Sequence, residues 1–139
     1  MYDLAESQLT LYDYVQPFGG ALDESNRWVR LAKANDWQEL GRQYAHHFGR
    51  AGNQALPLRV AFGSLVIRQA LELSDKQTVQ MIRESPYLQY FIGMTSFEYQ
   101  LPFVAHSMVG FRQRIPAQQI GQAVQMWKKF SREDMARKR

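Results

Sequence analysis

The stretch PLRVAFGSLVIRQALELSDKQ, residues 57–77, constrains the fold more than any other. Leu58, Ala61, Phe62, Leu65, Val66, Ala70 and Leu71 recur at three- and four-residue steps, the repeat of an α-helix with a broad apolar stripe. Pro57 suits the first turn of that helix. A stripe this wide has to be covered, so it predicts a central core helix, with Arg59, Arg68 and Glu72 lying off it. Gly63 and Ser64 leave room for a close neighbour. Ser74 to Gln77 then has the form of a capping box, a serine cap with glutamine at N3. A second helix is therefore expected to about Glu84, burying Val79 and Ile82. Two helices joined through Leu73 and Ser74 suit helix-turn-helix geometry, although such pairs are common.

The same reasoning extends outward. Trp28, Leu31 and Ala32 predict a helix starting near Ser25, capped by Asp23 or Ser25. Asp36 caps the next helix with Glu39 at N3, and Trp37, Leu40, Tyr44 and Phe48 follow at helical spacing. GRAGN at 49–53 is a loop, with Gly49 suited to close the preceding helix. Ser85-Pro86 starts a short helix through Tyr87, Leu88, Tyr90 and Phe91, closed by Gly93. Phe97, Tyr99, Leu101 and Phe103 alternate and allow a short strand. In HSMVGFRQRI, Met108, Phe111 and Ile115 share one side of a helix and Ser107, Gln113 and Arg114 spread over a flank, with Arg112 on the other. A last helix after Pro116 carries Ile120, Val124, Trp127 and Phe130 on one side. The expectation is an all-α bundle of about six helices. It divides into an arm at 1–22, a helical domain at 23–130 and a basic tail at 131–139.

Charge is uneven along the chain. Residues 1–26 hold five acids and no Lys or Arg, and the rest carries 17 basic against 8 acidic residues. A polyanionic partner is one explanation and a solvated basic face is the other. Without cysteine there is no disulfide and no thiolate metal site. No apolar run approaches the roughly 18 residues of a membrane span, and MYDLAESQLT lacks the form of a secretory signal. A cytoplasmic protein without membrane contact is expected. His46 and His47 are adjacent and do not share a helix face, so they make a poor metal pair. Neither a Gly-x-Ser-x-Gly elbow nor a phosphate loop is present, and no cofactor is expected.

The order of motifs adds a resemblance. Pro57, Leu73-Ser74-Asp75, Tyr87, Gln89 to Gly93, Pro102-Phe103, Ser107 and Phe111-Arg112-Gln113-Arg114 follow one another over about residues 55 to 116. This series resembles the N-terminal domain of bacterial insertion-sequence transposases of the InsH type. The resemblance implies a helical region that binds double-stranded DNA at the element's terminal inverted repeats. It also implies a separate ribonuclease-H-like domain that cuts and joins DNA with carboxylate-held Mg²⁺. By that carry-over Ser107, Arg112 and Arg114, with Gln113 between them, are the first candidates for DNA contact. Arg59, Arg68, Lys76 and Arg83 come second, and Lys128 and Lys129, at the head of the basic stretch KKFSREDMARKR, can add phosphate attraction. After Glu98 the only acids are Glu133 and Asp134, so no catalysis is expected of this polypeptide alone. The alternatives are an interaction module, which forms a homodimer or docks on a full-length transposase as an inhibitor, and a decayed remnant.

Overall fold

A computed structural model describes residues 22–44 and 58–137. Seven helices occupy these residues: α1 (Arg27–Ala34), α2 (Trp37–Tyr44), α3 (Leu58–Ala70), α4 (Asp75–Glu84), α5 (Pro86–Phe91), α6 (Ser107–Arg114) and α7 (Ala117–Arg137). The fold is all-α, as the periodicity predicts. Residues 1–21 of the arm expected at 1–22, the end of the helix expected after Asp36, Pro57 and the GRAGN loop lie outside the described residues.

α3 is the axis of the domain. Every residue from Leu58 to Ile67 is buried, so the helix has no exposed side over its first ten positions. α2, α4, α6 and α7 pack around it, and α1 packs against α5 and α7. Gly63 lies where α5 ends. A Cβ there would sit 3.0 Å from Ile92 Cγ2 and 3.3 Å from its Cα, so a larger residue would need Ile92 to give by a few tenths of an ångström.

The burial of α3 overturns one expectation. Arg59 does not lie off the apolar stripe; it is 1% exposed and the largest fully buried side chain. Its Nε donates to the Phe91 carbonyl and its Nη2 to the Tyr90 carbonyl, both at 2.9 Å. These carbonyls belong to the last turn of α5, where helix oxygens lack intrahelical donors and the dipole favours a cation. The Trp37 ring covers the guanidinium at 4.5 Å. Burial pulls the Arg59 pKa down to about 10, which still leaves the group charged at neutral pH.

Local chemistry sets the ends of the helices. The capping box of α4 is present: Gln77 N donates to Ser74 Oγ and Ser74 N to Gln77 Oε1. Asp36 Oδ1 accepts from Glu39 N, as expected. α1 is capped by Asn26 instead of Asp23 or Ser25, because Asp23 Oδ1 is occupied by Ser25 N and Oγ. Two helices end in Schellman turns. After α5, Gly93 adopts φ 94° and Met94 N donates to the Gln89 carbonyl. After α3, Leu73 N donates to the Arg68 carbonyl and Glu72 takes the left-handed conformation at φ 55°, which normally favours glycine. Within α4 the buried residues are Thr78 and Ile82, and Val79 is only half-buried. Thr78 reaches this interior position because its Oγ1 donates to the Ser74 carbonyl.

The stretch expected to allow a strand is a loop with only isolated bridge residues at Met94 and Ser96. Gln89 replaces sheet pairing. Its Nε2 donates to the carbonyls of Ile82 and Glu98, and its Oε1 accepts from Glu98 N. α7 continues to Arg137, through most of the stretch expected as a basic helix end and linker. Asp134 is buried and Glu133 pairs with Arg30 at 2.8 Å, which ties this part of α7 to α1.

Arg59→Ala should lower the unfolding free energy by roughly 3–5 kcal/mol, through a buried Phe91 carbonyl that loses its Arg59 donor, a Tyr90 carbonyl that keeps only backbone N–H donation from Gly93, and a cavity. Arg59→Lys should recover little of this, because a point ammonium does not reproduce the planar fork. Urea titration of both variants checks it, and a lysine variant of wild-type stability would contradict the role given to the fork.

Candidate nucleic-acid interface

α6 is anchored by one side and displays the other. Met108, Phe111 and Ile115 are buried, and the Phe103 and Phe111 rings lie 5.7 Å apart. Ser107 is half-buried, and its Oγ accepts from Val104 N at 3.2 Å, closing the turn into the helix. Arg112, Gln113 and Arg114 are exposed. A Cβ on Gly110 would lie 3.3 Å from Arg114 Nη1, so the arginine folds back along its own helix over the glycine.

Asp75, the first residue of α4, ties this helix to its neighbours. Arg112 donates to it twice, Nη1 to Oδ1 at 2.6 Å and Nη2 to Oδ2 at 3.1 Å. Arg68, near the end of α3, donates from Nε to Oδ1 at 2.7 Å. The fork from Arg112 holds the Asp75 carboxyl below the usual range, with Arg68 adding to the effect against a desolvation cost. The Arg112 guanidinium is correspondingly held above its ordinary value by Asp75. Two cations share one anion, so the cluster keeps a net positive charge. It borders a cleft of about 270 Å³ whose walls include Leu65, Gln69, Ile115 and Ile120.

α4 lies beside this cluster. Lys76, Gln77, Gln80, Met81, Arg83 and Glu84 are all exposed along it. Arg83, at the far end, donates from Nε to the Tyr99 carbonyl at 3.3 Å.

The structure therefore brings Arg68, Lys76 and Arg112 together around the start of α4, with Gln113 and Arg114 on the adjoining helix and Arg83 at the other end. Arg59 is withdrawn from the set, since a buried guanidinium bonded to two carbonyls does not reach a phosphate. Lys128 and Lys129 are exposed on a different stretch of α7, where Trp127 packs on Trp28 of α1 at 5.2 Å. Asp75 was missed as a site residue. Its signal was present: an acid in the first turn of a capped helix, in a chain whose neighbouring helices supply arginines. Among the described residues no three His, Asp or Glu side chains gather as a metal site, and no helix is long and apolar enough to cross a membrane.

Residues 17–114 match the model of a family described as a transposase domain (DUF772). A curated protein of Rhizobium meliloti, named uncharacterized protein ORF8 in nfe locus, is 30% identical over 90 residues. The match covers 65% of this chain and 44% of that protein, so the chain spans less than half the length of the curated relative it matches. No solved structure matches.

Asp75→Asn should destabilise the domain by roughly 1 kcal/mol at neutral pH, a small value because both arginines are more than a third exposed and screened. A carboxylate with a depressed folded pKa contributes stability above about pH 4, its unfolded value, and loses it as pH falls through the folded value. The difference between wild type and variant, followed by urea titration, should close as pH drops below about 4. A gap that stays constant to acid would contradict the ion-pair account.

Proposed function

The chain belongs to the transposase domain (DUF772) family, and from that premise we propose that it is a double-stranded DNA-binding module acting at the ends of an insertion sequence. The observation that carries this reading is the joint surface of α4 and α6. Lys76, Gln80, Arg83 and Arg112 are exposed there, on two helices tied through Asp75, and Gln113 and Arg114 are exposed on other sides of α6. Long cations of this kind position a protein on phosphates. The fold supplies rigidity, because α3 is buried and α6 is anchored by Met108, Phe111 and Ile115.

In this reading Arg112, Arg114 and Lys76 contact phosphates, and Ser107 holds the turn that orients α6. Arg68 steadies Asp75 from behind. Lys128, Lys129 and the basic end of α7 add a second, non-specific attraction. The proposed part of the domain is recognition.

Binding of duplex DNA should weaken steeply with salt, because each neutralised phosphate releases counterions. Arg112→Ala with Arg114→Ala should flatten the slope of log affinity against log salt by about 2, one for each lost phosphate contact. Circular dichroism confirms folding of the double variant. A folded variant with unchanged affinity and slope would remove α6 from the interface.

A further inference from the structure

We infer that base recognition is carried by the outward side of α4, with Gln80 and Met81 as its reading residues, and that α6 serves as the phosphate-binding flank. This rests on the DNA-binding reading above and adds which helix enters the groove.

Three observations lead to it. First, α4 follows the buried helix α3 after a turn of four residues, 71–74, and its two ends are fixed by the capping box at Ser74 and by Gln89 bonding the Ile82 carbonyl. Only Thr78 and Ile82 are buried, so one long side of a ten-residue helix faces outward. Such a helix is roughly 15 Å long, a length that the major groove accommodates.

Second, the chemistry changes along that side. Lys76 and Gln80 form one exposed column at i, i+4 spacing, and Gln77 and Met81 form the next. Cations stand at the ends: Lys76 and the Asp75-bound Arg112 at the start, and Arg83 beside the acidic Glu84 at the finish. The middle is neutral. A neutral, hydrogen-bonding centre between cationic ends matches base edges lying between two phosphate walls. Glutamine can bond the adenine N6 and N7 edge, and an apolar side chain beside it can contact a thymine methyl. Met81 is 40% exposed, a large apolar group that contributes little to the core. Gln80 is bonded only to Glu84, one turn along the same exposed side, so no buried contact has to break for it to turn outward.

Third, α6 is less suited to reading. Arg112 is held by both Asp75 oxygens and Arg114 folds back over Gly110, so the neutral side chains left on the outer side of α6 are Val109 and Gln113, one turn apart, with cations beside them instead of at the two ends. Guanidiniums fixed in this way suit phosphate contact at the groove wall.

The test compares wild type with a Gln80→Ala, Met81→Ala double variant. Both positions are exposed and alanine favours helix, so folding is retained. Each protein selects bound duplexes from a randomised DNA library, and the affinity of each for unselected DNA is measured separately. The expected result is a wild-type motif containing A·T pairs. The double variant should lose its preference at one or two adjacent positions by about tenfold or more, with affinity for unselected DNA nearly unchanged. A Gln113→Ala variant should keep the wild-type motif. If the double variant selects the wild-type motif, or if the wild type selects none while still binding DNA, the inference is overturned and DNA binding stands. If the wild type binds no duplex, both readings fail, and the α4 side is left as a surface for a protein partner.

Discussion

The buried guanidinium of Arg59 is the interaction on which the rest of this structure depends. A charge removed from water is costly unless it is paired or fully hydrogen-bonded. The α5 carbonyls of Tyr90 and Phe91 accept from the fork, and Trp37 lies over its plane. Trp37 in turn donates from Nε1 to the Ala32 carbonyl at the end of α1. One side chain of α3 thereby fixes α5 and, through an indole, the junction of α1 and α2. With α5 held there, Gly63 permits the close approach of Ile92, and Gln89 reaches the loop after it. Removing the arginine would take a donor from two helix-end oxygens at once and leave a cavity among the rings.

A second ionic device governs the surface. Asp75 holds Arg68 and Arg112 at once, so a carboxylate on α4 joins the end of α3 to α6. In the free protein this pairing fixes the α6 side chain in place. In the proposed DNA-binding role the same carboxylate would compete with phosphate for both cations. The surface would then be ordered before binding, at some cost in attraction. That balance differs from the interior, where the Arg59 bonds are shielded from solvent and salt.

Much of this was legible in the sequence, for physical reasons that differ by element. The Ser74–Gln77 box and the Gly93 turn are local, because a few neighbouring residues supply every partner. The α6 anchors Met108, Phe111 and Ile115 were readable because that helix has one buried side and one wet side. Arg59 was not. Stripe reasoning assumes a solvent side, and a helix buried all round has none over that stretch. A charge inside the apolar run LRVAFG was the available clue. Asn26 displaced Asp23 and Ser25 as a cap because those two bond each other. The loop held by Gln89 was beyond sequence reasoning, since its partners are nine residues apart in chain and fixed by tertiary packing. The family was legible from the order of motifs, and the match over residues 17–114 agrees with it. Asp75 sat within the recognised Leu73-Ser74-Asp75 motif, but its partners lie on two other helices and became visible only in the folded chain.

The most direct test of the account is amide chemical-shift mapping of the labelled protein titrated with duplex DNA. The account predicts perturbations concentrated in α4 and α6, over residues 75–84 and 107–114, with the α1–α7 contact around Trp28 and Trp127 little changed. Perturbations centred on α1 and α7, with α4 and α6 silent, would contradict it.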